Sequence, residues 1–218
     1  MNEVTKKILE KKGIKEFMPC QIKALDQGLL KGKSMLICSP TGSGKTLVAE
    51  IGIIESLMKN KYTNKAIYIV PLKALASEKY NNFMDEYSDY FNIAMLTGDT
   101  EADERDIMKI SKADIIIMTS EKLDSILRHN HQWVQNVSVL VIDEIHLLDS
   151  LRRGPTLEIV ITLMRELKSD VQIIGLSATI GNSVELAKWL KAELVFDEYR
   201  PVELKKGVIF DKKIDFVN

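Results

Sequence analysis

Short apolar runs alternate along the chain with longer stretches in which apolar residues recur at helical spacing. The runs SMLIC (34–38), AIYIV (66–70), NIAML (92–96), DIIIMT (114–119), VSVLVID (137–143), VQIIGLS (171–177) and ELVFD (193–197) read as strands. Several are almost wholly apolar, which marks strands covered on both faces, as in parallel sheets. Helices are expected over 21–30, 45–59, 73–87, 101–110, 120–129, 155–168 and 183–191. Leu157, Val160, Ile161 and Met164 share one helical face, and Pro155 stands where a first turn tolerates proline. This alternation predicts an α/β fold, a three-layer domain with a mainly parallel, doubly wound sheet. The closing segment RPVELKKGVIFDKKIDFVN breaks the rhythm and reads as extended chain leaving the domain.

Composition changes this picture little. A chain of 218 residues can build one large domain or two small ones. Thirty Lys and Arg stand against thirty-one Asp and Glu, a net charge of −1. The total therefore carries no electrostatic footprint for nucleic acid, and any such binding must come from a local surface. Cys20 and Cys38 fit no metal or disulfide spacing and read as small buried thiols of a reducing compartment. No run reaches the ~18 apolar residues of a membrane span, and the N-terminus has no apolar signal core. A soluble, cytoplasmic protein with no membrane partner is expected.

Two segments carry the chemistry. SPTGSGKT (39–46) lies between a strand and a helix. Backbone N–H groups of such a turn can surround phosphate oxygens, and the helix beginning near Lys45 adds its positive end. Ser39, Pro40, Thr41, Gly42, Ser43 and Gly44 form the loop, Lys45 can reach β- and γ-phosphates, and Thr46 can ligate Mg²⁺. The common pattern begins with Gly where this chain has Ser39. The second segment, VLVIDEIHLLD (139–149), ends an apolar strand in Asp143 and Glu144. Asp143 can hold Mg²⁺ through water, and Glu144 can orient and deprotonate an attacking water. Together the segments predict a nucleoside triphosphatase, without saying whether it is a motor. His129 and His131 lack metal-ligating neighbours in sequence and read as surface residues.

The remaining segments, in order, are FMPCQ (17–21), PLKALASEKY (71–80), LTGD (96–99), TSEKLDSILR (119–128), DEIHLLDS (143–150), RRGPTLE (152–158), GLSATIGN (175–182) and RPVEL (200–204). With the phosphate loop they make the chain similar to the first, RecA-like motor domain of superfamily 2 DExH-box helicases. Within them it resembles the Ski-two-like group, and there the archaeal DNA helicases that act at stalled forks. The resemblance implies ATP and Mg²⁺ as cofactors, with Gln21 reading adenine and Phe17 near the base. It implies that Ser177 and Thr179 couple ATP state to strand movement with His146 as partner. It places Pro71, Lys73, Thr97, Gly98, Thr119, Ser120 and Lys122 along a single-strand track. Hydroxyls, backbone N–H groups and lysines suit phosphodiester without reading sequence. Thr119 and Ser120 could equally cap a helix with Glu121 in its first turn.

The resemblance further implies 3′ to 5′ movement on single-stranded, forked or branched DNA, in repair and recombination, as part of a longer helicase. Residues 1–200 would form the ATP-binding domain, and 201–218 the start of a connection to a second RecA-like domain that supplies an arginine finger. Arg152 and Arg153 stand in the wrong part of the chain for that finger. Alternatives are an RNA-directed relative, less favoured, and a standalone nucleotide-dependent binding module.

Overall fold

The computed structural model describes residues 1–60, 63–98, 103–129, 132–201, 206–210 and 213–217. Seven strands form one sheet in the order β3-β4-β2-β5-β6-β1-β7, parallel at every pairing. They are β1 (Met35–Cys38), β2 (Lys65–Val70), β3 (Ile93–Leu96), β4 (Ile115–Thr119), β5 (Val137–Ile142), β6 (Gln172–Ser177) and β7 (Glu193–Phe196). Each expected strand is present, most of them trimmed by a residue at one end and β2 begun one residue earlier, at Lys65. The trimming is physical: Asp114, Asp143 and Asp197 lie at strand ends, where a carboxylate reaches polar partners that the apolar sheet lacks.

The strands are apolar throughout because both faces are covered. Met35 and Ile37, Ala66, Tyr68 and Val70, Ile115 and Ile117, Val139 and Val141 point into one layer. That layer holds α1 (Glu3–Lys11), α2 (Pro19–Asp26), α3 (Lys45–Lys59) and α4 (Lys73–Tyr87). Leu36 and Cys38, Ile67 and Ile69, Ile116 and Met118, Leu140 and Ile142 point into the other. There lie α5 (Glu104–Lys112), α6 (Ser120–His129), α7 (Gly154–Leu167) and α8 (Ser183–Leu190). Each fully buried Ile or Leu contributes about 1.5–3 kcal/mol of transfer free energy. The three-layer, doubly wound expectation therefore holds, with a sheet that is wholly parallel.

Three elements differ from expectation. The charged N-terminus forms α1, capped by the Asn2 side chain on Thr5 N, with Ile8 and Leu9 buried. Its few apolar residues make a weak periodic signal, and tertiary bonds complete it. Lys12 bridges Glu50 on α3 and Glu86 on α4 at 2.8 and 2.6 Å. The helix expected over 21–30 starts instead at Pro19 and stops before Gly28, whose φ of 106° favours glycine. The segment after β3 becomes helical only at Glu104, where Asp103 and Asp106 form a reciprocal cap; residues 101 and 102 lie outside the described residues. The tail is extended as expected, yet β8 (Lys206–Phe210) and β9 (Lys213–Val217) pair antiparallel as a small second sheet. Among the described residues no helix is long and apolar enough to cross a membrane.

Candidate nucleotide site and strand-facing edge

In a parallel sheet every strand delivers its C-terminal end to the same edge, where ligands bind in doubly wound folds. The strand order divides this edge in two. β5, β6 and β1 bring Asp143, Ser177 and the loop after Cys38 together. β3, β4 and β2 bring Thr97, Thr119 and Pro71 side by side.

The loop is braced from several directions. Ser39 N donates to Ser177 O at 3.3 Å, and the Ser39 and Ser43 hydroxyls, both buried, lie 2.7 Å apart across the turn. Thus the residue standing where the common pattern has Gly supplies an internal tie. Gly42 and Gly44 take φ of 83° and 84°, which other residues rarely adopt. A Cβ on Gly42 would meet nothing within 4 Å, so the turn is open to a ligand there. A Cβ on Gly44 would fall 2.2 Å from Gln21 Nε2. Gln21 occupies that space, donating through Nε2 to Gly44 O at 3.1 Å and accepting from Met18 N through Oε1 at 2.8 Å. Cys20 Sγ donates to Ser43 O at 3.0 Å. The first turn of α2 is therefore a bracket on the loop, a role that the spacing of FMPCQ did not reveal. Phe17 is half-buried and packs against the same core.

Lys45 opens α3 and turns its ammonium back to Ser39 O at 2.8 Å and Pro40 O at 3.4 Å. Two neutral carbonyls hold the charge at the mouth of a helix N-terminus. With exposed Thr41 and Gly42 beside it and half-buried Thr46 next in the first turn, this donor set fits a polyphosphate.

Asp143 extends β5 by one further ladder bond, its N–H donating to Ile69 O at 2.9 Å. Its Oδ1 accepts from Glu144 N at 3.0 Å and its Oδ2 from the Tyr68 hydroxyl at 3.0 Å. Tyr68 was not foreseen, since within AIYIV it reads as one more apolar core residue. Burial, then the Asp143 carboxylate, raises its phenol well above the usual range, so it remains a donor. Glu144 sits at φ 50°, ψ 44°, a left-handed conformation that costs a non-glycine residue about 1–3 kcal/mol. The turn swings Glu144 and His146 together. His146 Nδ1 lies 3.2 Å from Glu144 Oε2, close but outside hydrogen-bonding geometry. A hard oxygen donor, Asp143, on the same sheet edge as a lysine and a helix N-terminus fits a Mg²⁺-bound polyphosphate.

His146 also lines a cleft of 460 Å³ with Ile180, Gly181 and Asn182, directly after Thr179. The structure thereby brings His146 to the segment bearing Ser177 and Thr179. Thr179 is exposed, while Ser177 is buried with its hydroxyl lacking a hydrogen-bond partner.

On the other half of the edge, Pro71, Thr97 and Gly98 are half-buried and Lys73 is exposed at the start of α4. Thr119 and Ser120 are buried, and Thr119 Oγ1 accepts from Lys122 N at 3.4 Å, the capping alternative. Lys122 is a correction. Only 2% exposed, it places Nζ 2.6 Å from Asp106 Oδ2, between α5 and α6, and does not present its charge to a strand. The helix begins as soon as β4 ends, so the fourth residue of TSEK faces the neighbouring helix. Cys20 and Cys38 are free and buried, as expected, and burial pushes the Cys38 thiol up to about 11. Among the described residues no cluster of His, Cys, Asp and Glu could hold a metal ion alone. His131 and the side chain of His129 lie outside the described residues.

The model of the DEAD/DEAH box helicase family matches residues 18–187. The ATP-dependent DNA helicase Hel308 of Methanocaldococcus jannaschii is 53% identical over 216 residues, 97% of this chain and 18% of that protein. The same-named protein of Pyrococcus horikoshii is 50% identical over 210 residues, 96% of this chain and 28% of that protein. This chain thus spans less than a third of the length of these relatives. The crystal structure of the DUF1998 helicase MrfA bound to DNA and AMPPNP superposes with a TM-score of 0.75 at 32% identity, covering 91% of this chain and 29% of that one.

Proposed function

The chain belongs to the DEAD/DEAH box helicase family, with the RecA-like fold of its helicase neighbours, and from that premise we propose that it is the first motor domain of an ATP-dependent DNA helicase of the Hel308 kind. The observation that carries this is the shared strand edge: the Lys45 loop and the Asp143–Glu144 pair end β1 and β5, with β6 between them. Residues 1–200 are the ATP-binding domain, and 201–218 begin the connection to a second RecA-like domain.

Lys45 holds the β- and γ-phosphates, together with the backbone of residues 39–44. Thr46 and, through water, Asp143 would hold Mg²⁺, which when bound neutralises phosphate charge. Glu144 accepts a proton from the attacking water. Gln21 retains one N–H and one lone pair beyond its bonds to Gly44 and Met18. That donor and acceptor match the adenine edge, with Phe17 close by. His146, Ser177 and Thr179 transmit the nucleotide state. Pro71, Lys73, Thr97 and Gly98, with the backbone at Thr119 and Ser120, follow the DNA strand; Lys122 acts from behind by holding α5. Full hydrolysis needs a cationic side chain from the second domain, a contribution worth about 10³–10⁵ in rate in related enzymes.

The domain alone should therefore bind ATP·Mg weakly, turn it over very slowly and leave DNA paired. Equilibrium binding of a fluorescent ATP analogue tests the site. Loss in Lys45→Ala and retention in Glu144→Gln are expected, and no binding by the unsubstituted chain would sink the reading. For the longer protein, unwinding of a DNA fork but not of an RNA duplex is expected, proceeding 3′ to 5′.

A further inference from the structure

We propose that Tyr68 is a positioning residue of the nucleotide site, its buried hydroxyl holding the Asp143 carboxylate in the orientation that receives Mg²⁺. The inference rests on the reading above, in which Asp143 holds the metal. Tyr68 is fully buried on β2 opposite Val141, two residues before Asp143 on the neighbouring strand. Its ring meets Phe83 edge-on at 5.6 Å, and Lys79 Nζ lies 5.1 Å from its centroid. A phenylalanine would fill that space equally well, so packing alone does not call for the hydroxyl. A buried phenol needs a partner, and the bond it makes is to Asp143 Oδ2 at 3.0 Å. With Glu144 N on Oδ1 at 3.0 Å, each carboxylate oxygen has one protein donor. Two donors fix the rotation of the group, and the remaining lone pairs serve the metal through its bound water. Hydrogen-bond partners of this kind orient metal ligands, and their loss weakens metal binding about 10–100-fold.

Lys79 and Phe83 belong to α4, which begins at Lys73 on the strand-facing half of the edge. Tyr68 is thus packed by the helix of one half while it holds a carboxylate of the other.

The test is a Mg²⁺ titration of fluorescent ADP binding to the full chain, with an EDTA arm, for wild type, Tyr68→Phe and Asp143→Asn. For Tyr68→Phe the half-saturating Mg²⁺ concentration should rise about tenfold, with affinity in EDTA unchanged. Asp143→Asn should lose the Mg²⁺-dependent gain. A merely structural role would weaken both arms together, which overturns the proposal, as does a Tyr68→Phe half-saturation within about twofold of wild type, well below the range expected for a lost ligand-orienting bond. Wild-type binding that does not strengthen with Mg²⁺ would instead remove the underlying reading, and the inference with it. If Tyr68→Phe does not unfold cooperatively, Tyr68→Met carries the same measurement, because its flexible side chain can refill the space without a hydroxyl.

Discussion

Lys45 shows what a single side chain contributes at this site. Its ammonium bonds two carbonyls of its own loop, at 2.8 and 3.4 Å. Both bonds are local and polar, so the core does not depend on them. Lys45→Ala should weaken nucleotide binding about 10–100-fold, the worth of one charge-assisted hydrogen bond, while the thermal unfolding midpoint stays near wild type. Cys38 makes the opposite case, a group relevant to stability and not to ligand. Its folded-state value, near 11, lies above the ordinary 9.0. The folded chain therefore keeps the proton that the unfolded chain releases. That contribution is complete below pH 9 and is lost as pH rises toward 11. Cys38→Ala should show a shallower alkaline decline in urea midpoint than wild type across that window. Cys38 should also resist thiol reagents at pH 8 until the chain unfolds.

The elements are set by a few close approaches. Gly154 opens α7 so near the turn after Glu144 that a Cβ would stand 2.1 Å from Leu148 O. Gly154→Ala must push α7 away from that turn and should cost about 1–3 kcal/mol, read as a lower urea midpoint. The RRGPTLE segment shows a glycine there, but only the packed turn shows why it is needed. Lys122 ties α6 to α5 through a largely buried ion pair, Asp106 being 15% exposed. Breaking a buried pair costs about 3–5 kcal/mol, so the partly exposed partner suggests about 2–3 for Lys122→Met. Loss of DNA affinity at unchanged stability would instead restore a direct strand contact. The resemblance placed Lys122 on the track because a matched motif does not show which way the first turn of a helix faces.

For the whole molecule, strand order is what separates two jobs on one edge. β5, β6 and β1 carry the groups proposed for nucleotide, and β3, β4 and β2 carry those proposed for the DNA strand. With a net charge of −1 and a face of hydroxyls and backbone, single-strand binding by this domain should be weak. It should differ by no more than about threefold between matched DNA and RNA, since such groups meet phosphate and sugar. A fluorescence anisotropy titration checks this, and a large preference would indicate base contacts that the edge does not display.

Much of this was legible in the chain itself. Unbroken apolar runs specify strands covered on both faces, because no alternating pattern could survive two helical layers. The glycine loop and the Asp143–Glu144 strand end are local motifs whose chemistry lies in adjacent residues. Contacts across the fold were another matter. Tyr68 and Asp143 lie 75 residues apart, Gln21 and Gly44 lie 23 apart, and neither partner marks the other in sequence. Likewise α1, too poor in apolar residues to announce itself, is held by Lys12 reaching Glu50 and Glu86. Local pattern decided which elements form and which chemistry they bear. Packing alone decided which side chains hold that chemistry in place, because those bonds exist only once distant strands and helices share one sheet edge.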